Sequence, residues 1–303
     1  MSVRLISAHA CVLIGKPTLR KALPSVRELV FSIAITCISR ALLVRDIVLG
    51  RVWRGRCEMS STLRVSRHII QRGDYMLDAV LAKPAPGTER AALLICHGIG
   101  ETVDHWRDVQ RLLAEHGVVS LVFDYSGYGR SSGIFTSSRS EEDSIAAFDW
   151  LRANVDGLDT SILGFSLGSG IAASIVSKVP AKHLVLCSAF TSLREAAISG
   201  GLPNRLAFIL PPIWRTHAIL PHCAVPVLIL HGQQDQLLPA QMASDLKAAC
   251  GSRVQLVIVT DHSHDEPYRH PQLCFWGSVV SHLLVQGSPG GNVLESESSG
   301  KNG

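Results

Sequence analysis

Ser166 sits at the centre of Gly164-Phe165-Ser166-Leu167-Gly168, a Gly-x-Ser-x-Gly pattern. Downstream come Asp235, in LILHGQQD (228–235), and two histidines, His262 and His264, in VTDHSHD (259–265). A serine hydroxyl attacks an acyl carbon efficiently only when an imidazole takes its proton and a carboxylate holds that imidazole in the right tautomer. These residue types therefore point to acyl transfer, with Ser166 as nucleophile, Asp235 as orienter and His264 as base; His262 is the alternative base. If the preceding strand runs through Val259, a four-residue loop carries His264 to the place from which it can reach back to the serine. His262 would need that strand to stop two residues earlier.

The oxyanion created by such an attack must be met by fixed N–H donors. His97-Gly98-Ile99-Gly100 directly follows the apolar run AALLIC (91–96), and the backbone N–H groups of Ile99 and Leu167 are the two candidates. Backbone donors make the side chain at Ile99 immaterial, and His97 is expected to order the loop. Taken singly, each feature has a plainer reading: a capped helix start at Ser166, a strand-exit turn at Gly98, a solvated loop carboxylate at Asp235. What sets them apart is that each ends a buried apolar run, and reactive groups gather at the carboxyl ends of strands in open α/β sheets.

Those runs define the elements that must do the positioning. Segments 62–70 and 76–82 alternate around Arg72-Gly73-Asp74, which predicts an antiparallel opening hairpin. AALLIC, VVSLVFD (118–124), TSILGF (160–165), HLVLC (183–187), VPVLILH (225–231) and VQLVIV (254–259) are continuously apolar, as parallel strands buried on both faces are. Helical periodicity occupies 103–115, 141–153, 167–178, 239–249 and 269–285. The expectation is one α/β domain over 59–286, a mostly parallel eight-stranded sheet with helices on both faces. Gly-x-Ser-x-Gly then falls where TSILGF meets a helix, the strand-to-helix turn that a nucleophile elbow requires.

On these residues the chain resembles the α/β-hydrolase superfamily, in particular the branch with a short lid that includes serine-aminopeptidase-like hydrolases and membrane-associated protein depalmitoylases. The order Ser166, Asp235, His264 is that superfamily's order. DYSGYGRSSG (124–133) and AFTSLREA (189–196) look like its turns after the fourth and sixth strands. The likeness covers residues 65–285 and implies the α/β-hydrolase fold with a short helical lid over 190–224. One departure is that Asp261-His262-Ser263 stands where a glycine usually precedes the histidine. The lid stretch LAFILPPIW (206–214) suits an acyl or alkyl group and suits equally well the lid's own core. The resemblance implies carboxylester or thioester hydrolysis first. A peptidase would need acids to grip a free amine, and the lid offers only Glu195; a non-catalytic protein that keeps the fold is the rival from another class.

The bulk numbers agree with one large domain: 303 residues, 47% hydrophobic and 18% charged, which excludes global disorder. The eight cysteines are scattered without a CxxC pair, which suggests a reducing, cytoplasmic setting and no metal site. No nucleotide-binding, nucleic-acid-binding or metal-ligand pattern stands out, so the expected partner is a small-molecule or lipid-like acyl substrate, with no cofactor and no nucleic acid. The net charge of +4 is uneven: residues 1–56 hold ten Lys or Arg against two acids, an excess of +8, leaving −4 for the rest. This arm, taken as 1–58, contains LVFSIAITCIS (29–39), eleven residues where a bilayer span needs about 20. Three readings stand for a helix of 25–49: one lying on a membrane surface, one packed on the domain, and one spanning the bilayer at the cost of placing Arg40 near its middle. A secretory leader would need an A-x-A-like site that does not follow. The Gly-, Ser- and Glu-rich tail, 287–303, reads as disordered.

Overall fold

The computed structural model describes residues 63–285; the arm of 1–58, with its expected helix at 25–49, and the tail of 287–303 lie outside the described residues. The alternating segments form the hairpin of β1 (Arg64–Arg72) and β2 (Tyr75–Lys83), which turns at Gly73, with φ of 58°. The continuous runs become β3 (Ala91–Cys96), β4 (Val118–Phe123), β5 (Thr160–Phe165), β6 (Leu184–Cys187), β7 (Val227–Gly232) and β8 (Val254–Val259). All eight share one sheet in the order β1-β2-β4-β3-β5-β6-β7-β8, antiparallel at β1/β2 and β2/β4 and parallel elsewhere.

Every residue of β3 through β7 is buried, because helices cover both faces and leave no solvent side on which polar residues could alternate. Successive side chains enter two separate cores. Leu94 and Cys96 pack with α2 (Ser137–Ala153), α3 (Leu167–Ile175) and α6 (Gln241–Cys250) on one face. Leu93 and Ile95 pack with α1 (Arg107–Glu115) and α8 (Leu273–Leu284) on the other. Among the described residues no helix is long and apolar enough to cross a membrane.

Helix boundaries depart from the sequence expectation where local chemistry outweighs periodicity. The 103–115 pattern opens as a 3-10 turn, Val103–Trp106, before α1. α2 starts at Ser137 rather than 141, because the Thr136 side chain accepts the Arg139 N–H at 3.1 Å and nucleates a polar first turn. The expected 269–285 helix is two pieces, α7 (Glu266–Arg269) and α8, since Pro271 lies between them. Between β6 and β7 a crossover carries α4 (Leu193–Ser199), the 3-10 turn Asn204–Ile209, α5 (Thr216–Ile219) and the 3-10 turn Leu220–His222.

The strand order fixes where a site can form. The chain leaves β3 for β4 on one side and returns to β5 on the other, so loops from neighbouring strands diverge between β3 and β5. A crevice opens at the carboxyl ends of strands at such a switch. Cys96 pairs with Gly164 across it, which sets the loop beginning at His97 beside Ser166.

Candidate active site

Both glycines of Gly-x-Ser-x-Gly are demanded by close packing. A Cβ on Gly164 would collide with the Gly168 carbonyl and the start of α3. A Cβ on Gly168 would collide with the carbonyl of Cys96 and lie 2.7 Å from that of His97. The first turn of α3 is thus pressed onto the end of β3. Ser166 between them has φ 51° and ψ −119°, a strained conformation for a residue with a side chain. It is held by its N–H donating to the Cys187 carbonyl at 3.0 Å and by Ser169 donating to its carbonyl from both N–H (2.9 Å) and Oγ (2.7 Å).

Asp235 and His264 are brought to it by stitching of the loops after β7 and β8. Gln233 and Gln234 donate their backbone N–H groups to the carbonyls of Val259 and His262, at 2.9 and 3.0 Å. The Gln234 amide also donates to Asp261 Oδ1 at 3.1 Å. Gly232 is needed because a Cβ there would strike the His262 carbonyl. β8 ends at Val259, and Asp261, with φ 61°, turns the chain.

The result is a continuous relay. His264 Nε2 lies 3.0 Å from Ser166 Oγ and its Nδ1 lies 2.7 Å from Asp235 Oδ2. With the proton on Nδ1, the ring donates to Asp235 and accepts from the serine hydroxyl. Asp235 Oδ1 accepts the N–H groups of Leu237 (3.0 Å) and Leu238 (2.8 Å). His262 is left out of the relay: its carbonyl is the stitch to Gln234, its buried ring stacks on Phe275 at 5.7 Å, and its Nδ1 faces the Thr260 carbonyl at 3.1 Å.

Burial would raise the Asp235 pKa, but hydrogen bonds from His231 and His264 and from the Leu238 N–H outweigh it and hold the carboxyl below the usual range. Burial likewise disfavours protonated His264, yet the hydrogen bond and charge of Asp235, helped by Asp265 and Glu101, raise its pKa above the ordinary histidine value. Asp235 therefore stays ionised, and His264 is a strengthened base.

Ile99 and Leu167 both line the cavity beside Ser166. The loop that carries Ile99 is fastened from two sides. His97 is fully buried, 3.6 Å from Asp124 Oδ1, and its carbonyl accepts the Tyr125 hydroxyl at 3.1 Å. Glu101 Oε2 accepts the Gly98 N–H and the Trp106 indole N–H, each at 2.9 Å. Burial pushes the Glu101 pKa up to about 7. Glu101 was not among the residues read from the sequence; its position immediately after His97-Gly98-Ile99-Gly100 does not by itself mark it as buried. His231 likewise stood unremarked in LILHGQQD, and its Nε2 lies 3.3 Å from Asp235 Oδ2.

The relay opens on a cavity of about 900 Å³. Its lining is mixed: Phe190, Leu193, Leu202, Leu210 and Leu238 are apolar, whereas Glu101, His105, Gln234, Asp265 and Arg269 are polar or charged. Trp214, offered by the sequence for the lid stretch, is buried core against Gly170 and not cavity wall, whereas Leu210 of the same stretch lines the cavity.

A family model described as "Serine aminopeptidase, S33" matches residues 87–219. The chain is 30% identical over 189 residues to lysophosphatidylserine lipase ABHD12 of Macaca fascicularis, a match covering 56% of this chain and 48% of that protein. It is 32% identical over 189 residues to the uncharacterized protein Rv2307c of Mycobacterium tuberculosis, covering 60% and 65%. The chain thus spans about half the length of the lipase it matches. Among solved structures, the esterase PF2001 of Pyrococcus furiosus superposes with a TM-score of 0.59 at 21% identity, covering 77% of this chain and 96% of that one. A cold-adapted esterase from an Arctic intertidal metagenomic library gives 0.56 at 18%, covering 76% and 97%.

Proposed function

We propose, for a chain that belongs to the α/β-hydrolase superfamily, that it is a serine hydrolase cleaving carboxylic esters of lipid-like acyl groups through an acyl-enzyme. The observation that carries this reading is the relay from Asp235 Oδ2 through His264 to Ser166 Oγ, 2.7 and 3.0 Å long, at a large cavity whose lining includes five large apolar side chains, Phe190, Leu193, Leu202, Leu210 and Leu238. The lipase among its relatives supports the same reaction class, and the esterase structures share its fold.

In this mechanism His264 takes the Ser166 proton as Oγ attacks the acyl carbon, and Asp235 stabilises the imidazolium that results. The N–H groups of Ile99 and Leu167 receive the developing oxyanion, and α3, starting at Leu167, adds its positive end. Collapse returns the proton to the leaving oxygen; water activated by the same imidazole then releases the acid. The acyl chain lies along the Leu202 and Leu210 wall, under the crossover acting as a lid, and the polar alcohol faces His105, Asp265 and Arg269. A thioester would follow the same route. A surface helix in the arm, 25–49, would keep the protein at the membrane that supplies such substrates.

Peptidase action ranks lower, because the carboxylates nearby are engaged. Glu195 accepts from Thr191 and Ser192, Glu101 from Gly98 and Trp106, and Asp265 lies 3.4 Å from Arg269. The test is fluorophosphonate labelling of wild type and Ser166→Ala, followed by hydrolysis of p-nitrophenyl esters of increasing chain length. Labelling of wild type alone, with kcat/KM rising with chain length, is expected; equal labelling of both proteins would overturn the reading.

A further inference from the structure

The crossover between β6 and β7 has an inner and an outer face. At its two ends Leu202 and Leu210 line the cavity, and Ala207 is buried, anchoring the 3-10 turn Asn204–Ile209 from within. Arg194 fastens the end of that turn to α4, donating from Nε and Nη2 to the Leu210 carbonyl at 3.1 and 2.8 Å. On the outer side of the same turn Leu206, Phe208 and Ile209 are 39%, 64% and 41% exposed. Three large apolar side chains within four residues, held outward by a fastened turn, need a partner surface.

The charge around them says which. Between Glu195 and Asp235 the chain has no Asp or Glu, while Arg205 and Arg215 are both exposed. The residues beyond 56 carry a net −4, so this carboxylate-free stretch stands out against the rest of the domain. Apolar side chains that enter the acyl boundary to about 5–10 Å, with arginines at headgroup depth, are the pattern of interfacial binding.

We propose that the outer face of Asn204–Ile209, with the exposed Arg205 in the turn and Arg215 farther along the same crossover, docks the protein on an anionic lipid surface, with the cavity behind it. This contact is separate from the arm of 1–58 and does not depend on the catalytic reading.

Hydrogen exchange of the peptide 202–212 in the full chain, with and without vesicles, tests it and is blind to binding by other segments. Mixed phosphatidylcholine and phosphatidylserine vesicles are expected to slow exchange there in wild type and in Ser166→Ala, and phosphatidylcholine alone to slow it less. The pair Leu206→Ser with Phe208→Ser should lose that protection and about tenfold in vesicle affinity. The pair Arg205→Gln with Arg215→Gln should lose the difference between the two vesicle types. All four positions are exposed, and an unchanged melting temperature is the check on folding. Unaltered exchange in 202–212 on vesicle-bound protein overturns the proposal. So does protection that appears without vesicles as protein concentration rises, which would make a second copy the occupant. If wild type hydrolyses no ester, the catalytic reading fails while the exchange result stands by itself.

Discussion

His264 and His262 stand two residues apart on one loop and meet opposite fates. One ring closes the relay between Ser166 and Asp235; the other is packed on Phe275 while its carbonyl ties β7's loop to β8's. His264→Ala is expected to lower kcat by roughly 10⁴–10⁶ with the melting temperature nearly unchanged. His262→Ala should instead lower the melting temperature and leave kcat within about tenfold, a packing loss; ester hydrolysis and thermal denaturation of the two variants separate these outcomes. In the proposed mechanism His264 must be neutral to act as base, so kcat/KM should rise with pH through a His264 pKa raised above the ordinary histidine value. Glu101, where it is ionised above its own pKa of about 7, helps to hold that pKa up. Glu101→Gln keeps an oxygen for Gly98 and Trp106 but removes the charge, so the acid limb of the pH profile should move to lower pH. An unmoved limb would remove Glu101 from the electrostatics of the base.

The elements carrying these residues were legible to different degrees, for physical reasons. β3 through β8 lie within two residues of their apolar runs: burial on both faces of β3–β7 leaves a signature that neighbouring residues reinforce, and β8, at the sheet edge, keeps an apolar run although only Val254 of it is buried. The order of Ser166, Asp235 and the two histidines at the ends of such runs leads to the expectation of a site at one sheet edge, and Ser166, Asp235 and His264 are within hydrogen-bond distance there. The crossover was not legible beyond its extent. Pro203, Pro211, Pro212 and Pro221 break it into single turns whose inner and outer faces depend on tertiary contacts. Glu101 stayed hidden because nothing local distinguishes a loop carboxylate that will be buried from one that will not. Glycines show the same contrast, and it can be measured. Gly168→Ala drives a methyl into the carbonyls of Cys96 and His97 and should cost about 1–3 kcal/mol together with activity. Gly277→Ala, inside α8 with open space around the new methyl, should be neutral or stabilise by up to about 1 kcal/mol. Chemical denaturation of both variants gives the comparison.

Across the whole molecule, acid acts on two histidine systems at opposite ends of the sheet, and with opposite sign. At the carboxyl edge Asp235 raises His264. At the amino edge His183, just before β6, and His282 on α8 face each other with ring centroids 5.0 Å apart. Burial lowers both; Lys182 adds to the effect on His183, though Asp159 opposes it, and His183 helps bring His282 down to about 4 against the raising influence of the Pro226 carbonyl. Unfolded histidine titrates near 6.5, so between 6.5 and about 4 the unfolded chain binds more protons than the native one. This pair's contribution to stability is therefore fully present above 6.5 and is lost as pH falls toward 4. On the proposed mechanism the acid limb of activity, set by the raised pKa of His264, should come first on acidification. Hydrolysis should thus fade reversibly while the fold still holds, and the melting temperature should decline only at lower pH. His282→Leu should flatten that decline and leave the activity limb where it was. Calorimetry and initial rates over pH 4–8 test both halves, and a melting temperature that falls together with activity in the variant as in wild type would show that the amino-edge pair does not govern acid stability.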